Sequence, residues 1–160
     1  MSRRPTPPYQ ATLHVRDHCL CLHAQRAARV LGRRFDTAFR RLGITNGQFS
    51  LLMALNRPDP PPIGAVAALL AMDRTTLTAA LKPLQRRGLV TVAIDAEDRR
   101  GRRLSLTADG GKLLARALPI WQSVHAQVDD LLFDADQLRR ELEALTRHTA
   151  SGERNGAGVG

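Results

Sequence analysis

Lysine is nearly absent from this sequence, aromatic side chains are sparse, and no long apolar run occurs. Of 24 basic residues among 160, only Lys82 and Lys112 are lysine, which leaves 22 arginines against 15 acids and a formal charge of +9. A balance this basic points to an anionic partner, and arginine is the cation that forks onto phosphate and guanine. Genomic codon bias accounts for an arginine excess equally well. Without about 18 consecutive apolar residues, and with no apolar stretch in Met1–Gln10, neither a membrane span nor a signal peptide is expected. The cytoplasm is the expected compartment. Cysteine is confined to Cys19 and Cys21, too close for an unstrained internal disulfide and too few for a protein-only zinc cage, so both are expected as reduced thiols. Cys19, Cys21 and His23 on one helix cannot converge on a metal, and no metal or cofactor is expected. Apolar residues still make up 43% of the chain, enough to build a core.

The ends are poor in anything to bury. Ser2–Pro8 carries three prolines and Ser151–Gly160 four glycines, so residues 1–11 and 149–160 are expected to be disordered tails. Between them the apolar spacing is helical. Leu20, Ala24, Ala27, Leu31, Phe35, Phe39 and Leu42 mark one face of a long helix. Thr45 and Gln48 have capping-box spacing before a second helix that reaches about Asn56. Pro58–Pro62 must be loop. Ile63, Val66, Ala67 and Leu70 suggest a short third helix, and a fourth runs from near Asp73 to a left-handed stop at Gly88. Leu89–Ile94 and Leu104–Leu106 read as a hairpin around the charged segment 95–103. Thr107 caps a further helix whose stripe includes Leu113, Leu114, Trp121, Leu131 and Leu132, with a kink expected at Pro119. Asp134 or Asp136 caps a last helix carrying Leu138, Leu142 and Leu145.

Helix, short helix, helix and a basic-tipped hairpin are the parts of a winged helix-turn-helix, which lays one helix in a major groove while a loop reaches the groove beside it. On a helical wheel Leu77, Leu81 and Leu84 fall within about 40° of one another and form a ridge to bury. Thr75, Ala79, Lys82 and Arg86 fall opposite, flanked by Thr76 and Thr78, and no acid joins them. Threonine offers a hydroxyl and a methyl to base edges, lysine and arginine reach acceptors or phosphates, and Arg74 stands at the helix start. Asp98-Arg99-Arg100-Gly101-Arg102-Arg103 places four arginines at the hairpin tip, where one can enter a narrow minor groove.

Asp73-Arg74-Thr75-Thr76-Leu77-Thr78, Leu84-Gln85-Arg86-Arg87-Gly88-Leu89-Val90, Asp98-Arg99-Arg100-Gly101 and Leu106-Thr107-Ala108-Asp109-Gly110 together resemble the recognition-helix and wing signature of MarR-type transcriptional regulators, over roughly residues 12 to 148. The resemblance implies a mainly α fold with a small β wing. Residues 12–42 and 107–148 would form the helical dimerisation region, and residues 43–106 the winged helix-turn-helix. It also implies a homodimer on a near-palindromic double-stranded operator, most simply as a repressor and not as an enzyme. Arg74, Thr75, Thr76, Thr78 and Lys82 would contact DNA, with Arg100 in the minor groove and Asp98 orienting its guanidinium; Arg99 and Arg102 join the expected DNA contacts from the arginine cluster of the same tip. Ala79 departs from the pattern, since many relatives carry a basic residue there.

The same resemblance supplies two inputs that release DNA. One is oxidation of a helix-1 cysteine: Cys21 with Arg29 eight residues on matches the peroxide-sensing branch, although Phe35 and Asn46 stand where that branch has tyrosines, and Cys19 is the second candidate. The other is a small aromatic or anionic effector, for which His23, Phe35, Phe49 and Trp121 are the candidate lining. A sequence-indifferent architectural DNA-binding protein remains the alternative. Catalysis is not expected, because Cys21 and His23 point away from each other on a helix and no third group orients them.

Overall fold

The computed structural model describes residues 6–152, with side chains to Arg147. Seven helices and one hairpin follow in the order α1 (Tyr9–His18), α2 (Leu20–Phe39), a 3-10 turn (Arg40–Leu42), α3 (Asn46–Leu55), α4 (Ile63–Leu69), α5 (Arg74–Arg86), β1 (Val90–Ile94), β2 (Arg102–Leu106), α6 (Ala108–Asp129) and α7 (Ala135–Gly152). Local chemistry sets the starts. Thr45 and Gln48 complete a reciprocal capping box on α3, and Asp73, Thr107 and Asp134 accept from the amides of Thr76, Gly110 and Gln137. Asp134, not Asp136, therefore caps α7. The α4–α5 turn closes through Ala71 in the left-handed region (φ 50°), with the Met72 amide bonded back to the Ala67 carbonyl at 2.9 Å. This is the closure glycine usually provides.

Expectations change at the ends of the helices. Helix α1 begins at Tyr9, inside the segment expected to be a tail, because Pro8 holds an extended φ/ψ that suits the residue before a helix. Helix α7 likewise runs to Gly152, inside the segment 149–160 expected to be a tail, while residues 1–5 and 153–160 lie outside the described residues. Leu131 and Leu132 lie beyond the end of α6 in the turn to α7, so the stripe ends sooner than its periodicity suggests. Pro119, where a kink is expected, lies inside α6, which continues through it as one element.

The core gathers beneath the helix-turn-helix. Phe39, Leu51, Leu52, Val66, Leu77, Leu81, Leu84 and Leu104 are fully buried. Helix α3 is the hub, packing on α2, α4, α6 and β2. Its aromatic side forms a chain of rings: Phe35 lies 6.1 Å from Phe39, which stacks on Phe49 at 4.8 Å, and Phe49 lies 6.3 Å from Trp121. His125 closes the cluster, 4.6 Å from Trp121 and 6.1 Å from Phe35.

The first turn of α6 seats directly on the hairpin. Thr107 donates its hydroxyl to the Gly88 carbonyl at 2.7 Å and its amide to the Leu89 carbonyl at 3.1 Å. A Cβ on Gly110 would lie 2.1 Å from the Leu89 carbonyl oxygen, so only glycine permits this approach. By contrast α1 and α7 bury none of their described side chains. Helix α7 is tied to α6 by Arg139, which pairs with Asp129 and, at 2.5 Å, with Asp136 on its own helix.

Candidate nucleic-acid interface and effector cavity

Helices α4 and α5 cross at 103°, the range of a helix-turn-helix. Burial of Leu77, Leu81 and Leu84 turns the opposite face of α5 outward, and Arg74, Thr75, Thr76, Thr78 and Lys82 are all exposed there. Arg74 lies over the start of α4, with its Nη2 3.3 Å from where a Cβ on Gly64 would sit. Two threonine hydroxyls already donate: Thr76 Oγ1 to Asp73 Oδ2 at 2.6 Å, and Thr78 Oγ1 to the Arg74 carbonyl at 2.7 Å. Both bonds restrain the hydroxyls, whose oxygens keep acceptor capacity. The Asp73 carboxyl is held below its ordinary range chiefly by the Thr76 hydroxyl, then by the Thr76 amide.

The wing is held from its base. Strands β1 and β2 pair antiparallel from Val90 with Leu106 to Ile94 with Arg102. The proline loop supplies a third edge, since the Leu104 amide donates to the Pro61 carbonyl at 3.0 Å and Pro62 bridges Arg103. Asp95 is the one buried charged side chain among the described residues. It accepts from the Glu97 amide at 3.0 Å and from Arg103 Nε at 2.7 Å, and Arg103 also donates to the Pro60 carbonyl at 3.1 Å. A Cβ on Gly101 would meet both Asp95 Cβ and the Asp98 carbonyl at 3.1 Å, so the tip closes tightly over Asp95.

Asp98, Arg99, Arg100 and Arg102 are exposed on this tip. The role expected of Asp98 changes: its carboxylate accepts from the Arg100 main-chain amide at 2.9 Å, not from a guanidinium. A carboxylate two residues before an amide closes a local turn of this kind more readily than it reaches the end of a long side chain. The acid that orients an arginine is Asp95, through Arg103. Both residues escape sequence reading because they meet only once the hairpin register is known.

The Asp95 carboxyl is held below its ordinary range by the Glu97 amide first, with Arg103 adding to this against the opposing effect of burial. A depressed carboxyl stabilises the fold fully above the ordinary aspartate value of about 3.9, and that contribution is lost as pH falls through the lower folded value. Melting curves of wild type and Asp95→Asn are expected to differ at neutral pH, with the wild type more stable, and to converge in acid. A difference that ignores pH would assign the loss to packing alone.

The candidate switch residues separate into two places. Cys21 is exposed on α2, where its Sγ accepts from Gln25 Nε2 at 3.2 Å and Gln25 Oε1 accepts from Arg29 Nη2 at 2.8 Å. Spacing of i, i+4 and i+8 thus joins Cys21 to Arg29 along one helix face. Cys19 caps α2 by accepting from the Leu22 amide at 3.4 Å. A cavity of about 380 Å³ lies between α3, α4 and α6, lined by Phe49, Met53, Leu69, Leu118, Trp121 and Arg57 among others. Of the expected lining only Phe49 and Trp121 belong to it. Phe35 is buried within the ring cluster, and His23 is exposed on α2 with Nδ1 2.9 Å from the Cys19 carbonyl. Met53, Leu69 and Arg57 become visible only once α3 and α4 are packed together.

The family model that matches is that of the MarR family, over residues 42–101. The chain is 30% identical over 126 residues to the organic hydroperoxide resistance transcriptional regulator of Bacillus subtilis, covering 79% of this chain and 86% of that one. It is 41% identical over 83 residues to the Escherichia coli O157:H7 transcriptional regulator HosA, covering 51% of this chain and 60% of HosA. Among solved structures, the M. tuberculosis transcriptional regulator MosR in complex with DNA matches with a TM-score of 0.77 at 37% identity, covering 84% of this chain and 98% of MosR. The match spans 86% of the Bacillus subtilis regulator and 98% of MosR, and the chain belongs to the MarR family of winged-helix transcription regulators.

Proposed function

We propose that the protein is a homodimeric, sequence-specific regulator of double-stranded DNA, acting in the cytoplasm as a repressor on near-palindromic operators. The observation that carries this reading is the outward face of α5, acid-free from Arg74 to Arg86 and backed by three buried leucines, beside a wing whose exposed tip holds Arg99, Arg100 and Arg102. Arg74, Thr75, Thr76, Thr78 and Lys82 meet base edges and phosphates of the major groove, and Arg100 enters the adjoining minor groove. The similar MosR was solved in complex with DNA, which supports DNA as the partner. Residues 12–42 and 107–148 form the dimerisation region, while residues 43–106 read DNA.

Competition between the protein's own upstream DNA and a scrambled duplex at fixed salt tests this. A regulator shows at least about 10³-fold preference, whereas an architectural binder shows none. On the preferred site Arg100→Ala is expected to weaken binding by about 1–3 kcal/mol and to relax the preference for narrow-groove sequence. An unchanged affinity would remove the wing from recognition.

Release follows either occupation of the cavity by a small aromatic or anionic effector or oxidation of an exposed thiol. For the second route, low peroxide is expected to free DNA from wild type and to spare Cys21→Ser, as followed by gel shift. Equal release from both proteins would leave the cavity as the input.

A further inference from the structure

Arg87 is the cap residue at the end of α5, and its exposed guanidinium reaches back to the turn that joins α2 to α3. Nη1 donates to the Gly43 carbonyl at 2.6 Å and Nη2 to the Leu42 carbonyl at 3.4 Å. These two residues close the 3-10 turn, where Gly43 takes a left-handed φ of 65°. The last carbonyls of a helical turn lack partners within it, and a guanidinium fork satisfies two of them at once.

Both ends of this strut are fixed. On the α5 side the Gly88 amide bonds to the Gln85 carbonyl at 2.9 Å and the amide of buried Leu89 to the Leu84 carbonyl at 3.0 Å. On the other side Asp36 of α2 accepts from the Asn46 amide at the start of α3, at 2.6 Å, which braces the same turn. Among the described residues no other hydrogen bond or ion pair joins α5 or its cap to residues 20–45. Helix α2 packs on α3 and α6, whereas α5 packs on α4 and β1. Arg87 therefore spans from the helix that reads DNA to the helix at the root of the dimerisation region.

In a dimer the separation of the two α5 helices sets the spacing of half-sites that both copies can read together. A strut that fixes α5 against α2 fixes that separation. We propose that Arg87 determines the half-site spacing the dimer accepts, as a positioning residue that braces the end of α5 against the turn between α2 and α3. The proposal rests on the reading of the protein as a dimer on a two-part operator.

The test compares the preferred upstream site with a copy carrying two extra base pairs at its centre, by gel shift at fixed salt. Wild type is expected to bind the lengthened site about 10²-fold more weakly, because its two copies no longer engage together. In Arg87→Gln this ratio should shrink by about tenfold, since a loosened α5 can follow the displaced half-site. Arg87→Lys keeps one charged donor for Gly43 and should lie between them. Sedimentation should show a dimer in every case. An unchanged ratio in Arg87→Gln, whatever its absolute affinities, overturns the proposal, because a residue that merely stabilises the end of α5 weakens both sites alike. A monomeric Arg87→Gln overturns it too, by moving Arg87 into the contact between copies. If Arg87→Gln does not fold, Arg87→Lys decides: a smaller ratio supports the proposal and a wild-type ratio overturns it. Wild type that binds both sites equally defeats the two-part operator reading itself, and the proposal with it.

Discussion

Gly110→Ala is expected to destabilise the protein by about 3 kcal/mol or more, lowering the melting temperature by at least about 6 °C. Ordinarily the same change inside a helix gains up to about 1 kcal/mol, because alanine is the better helix former. Here the added methyl would lie 2.1 Å from the Leu89 carbonyl oxygen and 2.9 Å from Leu106 Cδ1. The nearer atom is backbone and cannot swing aside. Relief requires α6 to lift from the hairpin, which breaks the Thr107 bonds to Gly88 and Leu89 and loosens the wing, so DNA affinity should fall as well. Gly111→Ala is the control. The nearest atom to its new Cβ is Leu106 Cδ2 at 4.0 Å, and this variant should be neutral or more stable. Paired thermal melts decide the matter, and equal melting of the two variants would show that α6 does not need this close seat.

Leu138→Asp combined with Leu142→Asp is expected to convert the protein to a monomer and to reduce operator affinity by about 10³-fold. Two half-sites bound by linked copies hold far more tightly than either alone. Leu138 and Leu142 are 38% and 45% exposed on α7, one turn apart on one face, with Leu131 and Phe133 exposed just before the helix. Four large apolar side chains so arranged are the mark of a surface covered by a partner. Neither side chain belongs to the buried core of the protomer, so the circular dichroism of the variant should match wild type while sedimentation shows the lower mass. A variant that stays dimeric and keeps its affinity would place the interface elsewhere.

Much of the molecule is legible in its sequence, and the parts that are not share a cause. Helix starts can be read from Thr45, Asp73, Thr107 and Asp134 because capping is a contact over three residues. The α5 face can be read because Leu77, Leu81 and Leu84 recur at helical spacing, which dictates what lies opposite. Helix α1 escapes such a reading because it buries nothing and so carries no stripe. Leu131 and Leu132 prolong the α6 periodicity past the end of the helix because apolar spacing alone cannot tell a helical residue from an exposed one in the turn that follows. Asp95 with Arg103, and Arg57 with the cavity, are long-range encounters: the first depends on hairpin register and the second on how α3 meets α4 and α6. The MarR resemblance correctly anticipates the overall architecture, while the cavity is lined by Met53, Leu69 and Arg57 beside Phe49 and Trp121, and not by His23 or Phe35.

The proline loop beside β2 has one more consequence. An open sheet margin offers alternating donors and acceptors to any extended peptide that drifts past, which is how folded proteins become seeds for fibrils. Here the strip flanking Arg103 and Leu104 is Pro60-Pro61-Pro62, and none of the three has an amide hydrogen to offer a newcomer. A regulator that must present a slender, solvent-washed hairpin to nucleic acid thereby keeps one side of it from recruiting stray chains in a crowded cell.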